Sequence, residues 1–131
     1  MCNTTIENGG GWHASLMEIY AGKLWFRVYG GTELVGTTTI TLNAWHQFVL
    51  TYDGTTVRAY LDGQLEAQGT TSSHTLPSSV YMLFGAIEDT SKGMAGTPRF
   101  AGRWGAMTVY SNGKPSNFIL DSYNNNVSKY V

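Results

Sequence analysis

Residues 45–63 read WHQFVLTYDGTTVRAYLDG, two strand-length runs each closed by an Asp-Gly pair. Phe48, Leu50 and Tyr52 alternate with Gln47, Val49 and Thr51, the two-residue period of a strand with one face committed to a core. Asp53-Gly54 supplies the reversal, because glycine tolerates positive φ and aspartate bonds its own backbone. Val57, Ala59 and Leu61 then alternate with Arg58, Tyr60 and Asp62, and Asp62-Gly63 begins the next reversal.

The same patterning extends outward. Residues 14–29 predict a hairpin turning at Ala21-Gly22. Leu24, Phe26 and Val28 form one face of its second strand, and Trp25, Arg27 and Tyr29 form the other. A Thr-rich strand is expected over 34–42, interrupted by Gly36, and another near 65–71. The apolar run 80–87 predicts a buried central strand, and 100–110 the last long strand. In the tail, Ser116 is a candidate N-cap for a short helix holding Phe118, Ile119 and Tyr123, packed on the edge of the sheets. The expectation is an all-β antiparallel sandwich in which Phe48, Leu50, Val57, Leu61, Leu83 and Val109 are buried. Residues 14–131 make one domain, preceded by a polar, Gly-rich segment, 1–13, that is flexible or contacts an assembly.

Composition narrows the function classes. Charged residues are 13% of the chain, about half the usual share. Aromatics equal them at 13%, a balance that favours strands over helices. A net charge of −1 leaves no electrostatic footprint for nucleic acid or an anionic membrane. No stretch approaches transmembrane length, and nothing in residues 1–15 reads as an apolar export signal. Cys2 is the only cysteine, so no intrachain disulfide forms and stability must come from sheet packing.

Several landmarks occur in a telling order: Trp45-His46 leading a strand, Thr51-Tyr52-Asp53-Gly54 at a turn, then Tyr60-Leu61-Asp62-Gly63. Asn112-Gly113-Lys114-Pro115 follows, ahead of Phe118 and Tyr123-Asn124. The chain thereby resembles the laminin-G-like and pentraxin-like members of the concanavalin-A-like lectin/glucanase family from about residue 15 to 126. The resemblance implies a jelly-roll sandwich. It also implies a shortened one, since residues 1–13 stand where the family's opening strands run, leaving an edge for a neighbour to cover.

Catalysis has little support in the residues. Family glucanases place two glutamates close together facing a cleft, whereas Glu7, Glu18, Glu33, Glu66 and Glu88 show no such spacing. Asp53 and Asp62 are explained by their turns. His46 reads as a packed or edge histidine, and His13 and His74 fall in loops. No nucleophile elbow, zinc signature or phosphate-cradling loop is present, so no catalytic residue and no cofactor is assigned. The family resemblance raises calcium. Glu88-Asp89 is the only adjacent acidic pair and the weak candidate for it, against the six to eight oxygens such an ion takes.

Glycan binding requires an exposed aromatic beside polar side chains. The candidates are Trp25, Arg27 and Tyr29 on one stripe, with Trp12, Trp104 and Arg103 elsewhere; Trp45 is expected to pack. The expected function is a non-catalytic structural or recognition module on a virion or an extracellular surface. In a phage structural protein, as capsid decoration or tail, it contacts other protein subunits as a homo-oligomer or in a particle, and grips glycans. The alternative is a freestanding lectin-like module. Neither nucleic acid nor membrane is an expected partner.

Overall fold

The computed structural model describes residues 5–8, 12–13, 15–28, 33–70, 82–83 and 101–129, with the side chains of 5–8, 12–13, 15–16, 18, 20, 27–28 and 82–83 left aside. Among the described residues, nine strands and one helix follow in chain order. They are β1 (Thr5–Asn8), β2 (Trp12–His13), β3 (Ser15–Tyr20), β4 (Lys23–Val28), β5 (Leu34–Val35), β6 (Phe48–Tyr52), β7 (Thr56–Leu61), β8 (Gln64–Thr70), β9 (Met82–Leu83) and α1 (Ser116–Val127). All pairings are antiparallel, in three sheets ordered β2-β1-β9, β3-β4-β5 and β6-β7-β8.

The last two sheets face each other. Leu24 and Phe26 of β4, Ile40, and Val57, Ala59 and Leu61 of β7 form one buried cluster, with Met17, Ile19, Leu34, Phe48, Leu50 and Ala67 packed around it. These positions follow the two-residue period of the sequence, because successive side chains of a strand point to opposite faces. Val57 and Leu61 are buried as expected; Phe48 and Leu50 are half-buried against them. Leu83 lies on β9, where its side chain is outside the described residues.

The hairpins close as the sequence predicts. Ala21 and Gly22 have φ of 49° and 74°, and Asp62 and Gly63 have 52° and 79°. Two consecutive positive φ values match the right-handed twist of the flanking strands. At the turn between β6 and β7, the Asp53 carboxylate accepts from the Thr55 and Thr56 amides at 3.0 and 2.7 Å.

Two predicted strands change. The strand predicted over 34–42 ends at Val35. Gly36 N–H still reaches the Leu24 carbonyl (2.7 Å) and Ile40 N–H the Gly22 carbonyl (2.8 Å). Between them the Thr37 and Thr38 amides turn to the Glu66 carboxylate, so they are withdrawn from the ladder. The strand predicted over 100–110 is absent from residues 101–110, and Val109 is 73% exposed rather than buried. An alternating sequence turns inward only where a neighbouring strand fixes its pleat. This segment instead meets the sandwich at Gly113, where an added Cβ would lie 3.1 Å from the Tyr52 carbonyl oxygen. Of the apolar run 80–87, only Met82–Leu83 falls within the described residues, paired with β1.

The helix starts one residue earlier than a Ser116 cap implies. Pro115 takes the cap position with no side-chain bond, which suits a fixed φ just before the first turn. The Ser116 hydroxyl goes to the Tyr60 hydroxyl at 3.0 Å. Tyr60 and Ile119 are both about 1% exposed and lie outside the inter-sheet cluster. The start of the helix therefore meets β7 at Tyr60, a polar-face position of the sequence pattern that is nonetheless buried.

Candidate functional site

Around the turn between β7 and β8, the left-handed conformation of Asp62 aims its carboxylate back at the segment entering β6. One oxygen accepts from the Gln47 amide at 2.8 Å, the other meets His46 Nδ1 at 2.7 Å. His46 Nε2 lies 2.9 Å from the Thr41 carbonyl oxygen. Partial burial favours the neutral ring, but the Asp62 bond, the Thr41 carbonyl and the Asp62 charge outweigh it and raise His46 above 6.5. Gln47 extends the network to the helix, its Nε2 lying 3.3 Å from Ser122 Oγ.

Glu66 and Asp53, two carboxylates of shifted acidity, also serve the backbone. Glu66 accepts from the Thr37 and Thr38 amides at 2.7 and 2.8 Å and from both hydroxyls. Partial burial opposes its charge, yet the Thr38 and Thr37 bonds prevail and hold it below 4.5. Gly36 allows that approach, since a Cβ there would sit 2.9 Å from the carboxylate. Asp53 is lowered to about 2, chiefly by the Thr56 amide, then by Arg58 and the Thr55 amide; the Arg58 guanidinium stands 2.7 Å away. Such groups hold loops. They are poorly placed to exchange protons with a substrate, because their lone pairs are already engaged.

Several exposed apolar side chains lie on the closing segment and the helix. Trp104 is 48% exposed, Met107 60%, Tyr110 49% and Phe118 38%. Tyr110 and Phe118 meet edge to face at 5.5 Å between centroids, and the Lys114 ammonium stands 4.6 Å from the Tyr110 centroid and 5.5 Å from that of Phe118. An ammonium over ring faces is held by their negative quadrupole. Aromatic faces beside a cation suit the apolar face and polar rim of a sugar, or a protein partner's side chains.

Of the residues the sequence singled out, Arg103 and Trp104 are adjacent in the chain and exposed on the closing segment. Trp25 is half-buried on β4, across from Glu18 and Val35. Arg27 pairs in register with Leu16, and Trp12 with Asn8, their side chains outside the described residues. Tyr29, Glu88 and Asp89 also lie outside the described residues, as does Cys2. Trp45, expected to pack, is 40% exposed. Among the described residues no three His, Cys, Asp or Glu side chains converge as metal ligands, and no helix is long and apolar enough to cross a membrane. Tyr110, Lys114 and Phe118 escaped the sequence reading because 110 was assigned to a strand and 118 to a packed helix face. The one available signal was a lysine directly before the helix-opening proline.

Residues 3–117 match a laminin G family model described as concanavalin A-like lectin/glucanases superfamily. No curated protein sequence matches. Among solved structures, an S-layer domain-containing protein from Clostridium thermocellum aligns with a TM-score of 0.55 at 18% identity. The alignment covers 92% of this chain and 62% of that one. At that identity the likeness speaks to the fold.

Proposed function

Since the chain belongs to the concanavalin A-like lectin/glucanases superfamily, we propose that it is a non-catalytic surface module that makes protein contacts and grips glycans. The carrying observation is the exposed Tyr110–Phe118 ring pair with the Lys114 ammonium over both rings. Single exposed apolar residues need no explanation, whereas several gathered with a cation mark a contact site. A non-catalytic role is supported by the occupation of Asp53, Asp62 and Glu66 with backbone amides. Glycoside cleavage asks for two carboxylates free to flank a bond.

The finer parts of the proposal rest on the family and on the sequence. They are a jelly-roll connectivity, a place on a cell surface or in a phage virion as decoration or tail subunit, and other copies or particle proteins as partners. The structural neighbour's S-layer domain is in keeping with a surface setting. Trp25, Arg27, Tyr29 and Trp12 remain the second candidate contact set, no cofactor is assigned, and calcium at Glu88 and Asp89 is a weak candidate.

A glycan array with the full chain, paired with light scattering, tests the proposal. Tyr110→Ala and Trp104→Ala should weaken glycan capture or self-association at least tenfold while leaving the circular dichroism spectrum unchanged. Binding unaffected by both, or turnover of a polysaccharide abolished by replacing one carboxylate, overturns it.

A further inference from the structure

Both ring nitrogens of His46 face acceptors: the Asp62 carboxylate at 2.7 Å and the Thr41 carbonyl at 2.9 Å. A neutral imidazole carries one N–H, so only the imidazolium donates to both. We propose that His46 is a protonation-operated latch that fastens the 41–45 loop to the turn between β7 and β8 and releases the loop when the ring loses its proton.

The side that lets go follows from bond strength. A carboxylate holds an N–H more strongly than a neutral carbonyl does, so the remaining proton stays on Nδ1 and the Thr41 bond is lost. The turn itself is held without the ring, by Gln47 N–H to Asp62 Oδ1 at 2.8 Å and Asp62 N–H to the Gln47 carbonyl at 2.9 Å. In the loop, Leu42 is 85% exposed. Asp62 is the charge acting on the ring. From β6 the ring meets Phe48, at 6.3 Å between centroids. From α1 the network receives the Ser122 hydroxyl through Gln47, with Asp121 beside it on the helix and exposed. Because the folded His46 is raised, the latch is fully closed below 6.5 and opens as pH rises through the higher folded value.

A nitrogen-15 NMR titration of the full chain reads the ring directly, while hydrogen exchange of the 42–45 amides, corrected for intrinsic base catalysis, reads the loop. His46 should titrate above 6.5 and its neutral form should carry the proton on Nδ1. Loop protection should fall roughly three- to tenfold over the same interval, the equivalent of one ordinary hydrogen bond. Asp62→Asn should move the ring titration and the exchange step together to lower pH. A neutral ring protonated on Nε2, a titration at or below 6.5, or loop exchange that does not follow the ring overturns the proposal. The wild-type ring measurements stand even if the variant folds poorly.

Discussion

Gly54 and Gly63 make a matched pair for testing how the helix is docked. Both have positive φ, 97° and 79°. An alanine at Gly54 would meet nothing within 4 Å, so its cost is the left-handed backbone alone, about 1–2 kcal/mol. At Gly63 the added Cβ would lie 3.0 Å from Leu120 Cδ1, 3.2 Å from Leu120 Cα and 3.2 Å from Tyr123 Cβ. The Leu120 methyl can swing aside, but its Cα is backbone, so the helix must shift. Overpacking of that kind costs about 1–3 kcal/mol. Gly63→Ala should therefore cost about 2–5 kcal/mol in all, adding the two contributions. Urea unfolding of the two variants gives the difference, expected at about 1–3 kcal/mol, with unchanged m-values. Adding Leu120→Ala removes only the methyl contact, so it should recover little of the excess at Gly63 and none of the loss at Gly54. Equal losses at both glycines, within about 0.5 kcal/mol, would falsify the docking of α1 on this turn.

Three further outcomes follow from the same contacts. Ser116→Ala should destabilise more than Tyr60→Phe, by about 1 kcal/mol, because the first leaves a buried phenol without its partner and the second leaves an exposed serine to water; thermal melts compare them. Glu66 is lowered on folding, so its contribution is complete above 4.5 and is lost as pH falls through the folded value. The wild type should lose stability on that acid limb more steeply than Glu66→Gln, as followed by chemical denaturation at each pH. Phe26→Ala, which empties a fully buried site in the inter-sheet cluster, should cost about 3–5 kcal/mol by denaturant unfolding.

Local physics is written into the hairpins. The alternation of Val57, Ala59 and Leu61 and the Asp-Gly and Ala-Gly reversals need only steric preferences and a two-residue period, and each appears as the sequence predicts. The relatedness to laminin-G-like domains was likewise legible, because its landmarks sit at those same turns. Of the exposed candidate contact residues, Arg103 and Trp104 were legible in the sequence and the Tyr110–Phe118 pair with Lys114 was not. That pair brings Tyr110 of the closing segment against Phe118 of α1, a meeting that no strand or helix periodicity encodes.

The same limit separates the remaining successes from the corrections. Sequence alone determines which residues alternate and where the chain can reverse, since both depend on neighbours within a few positions. It does not determine which distant group takes a given amide or covers a given face. Glu66 draws the Thr37 and Thr38 amides out of the expected strand. The helix turns Tyr60 from a polar-face residue into a buried one. Asp62, read as a turn residue, also holds His46 and Gln47. Each outcome joins residues more than a dozen positions apart, and an unpaired polar group or an uncovered aromatic finds its partner only when the folded chain brings it within reach.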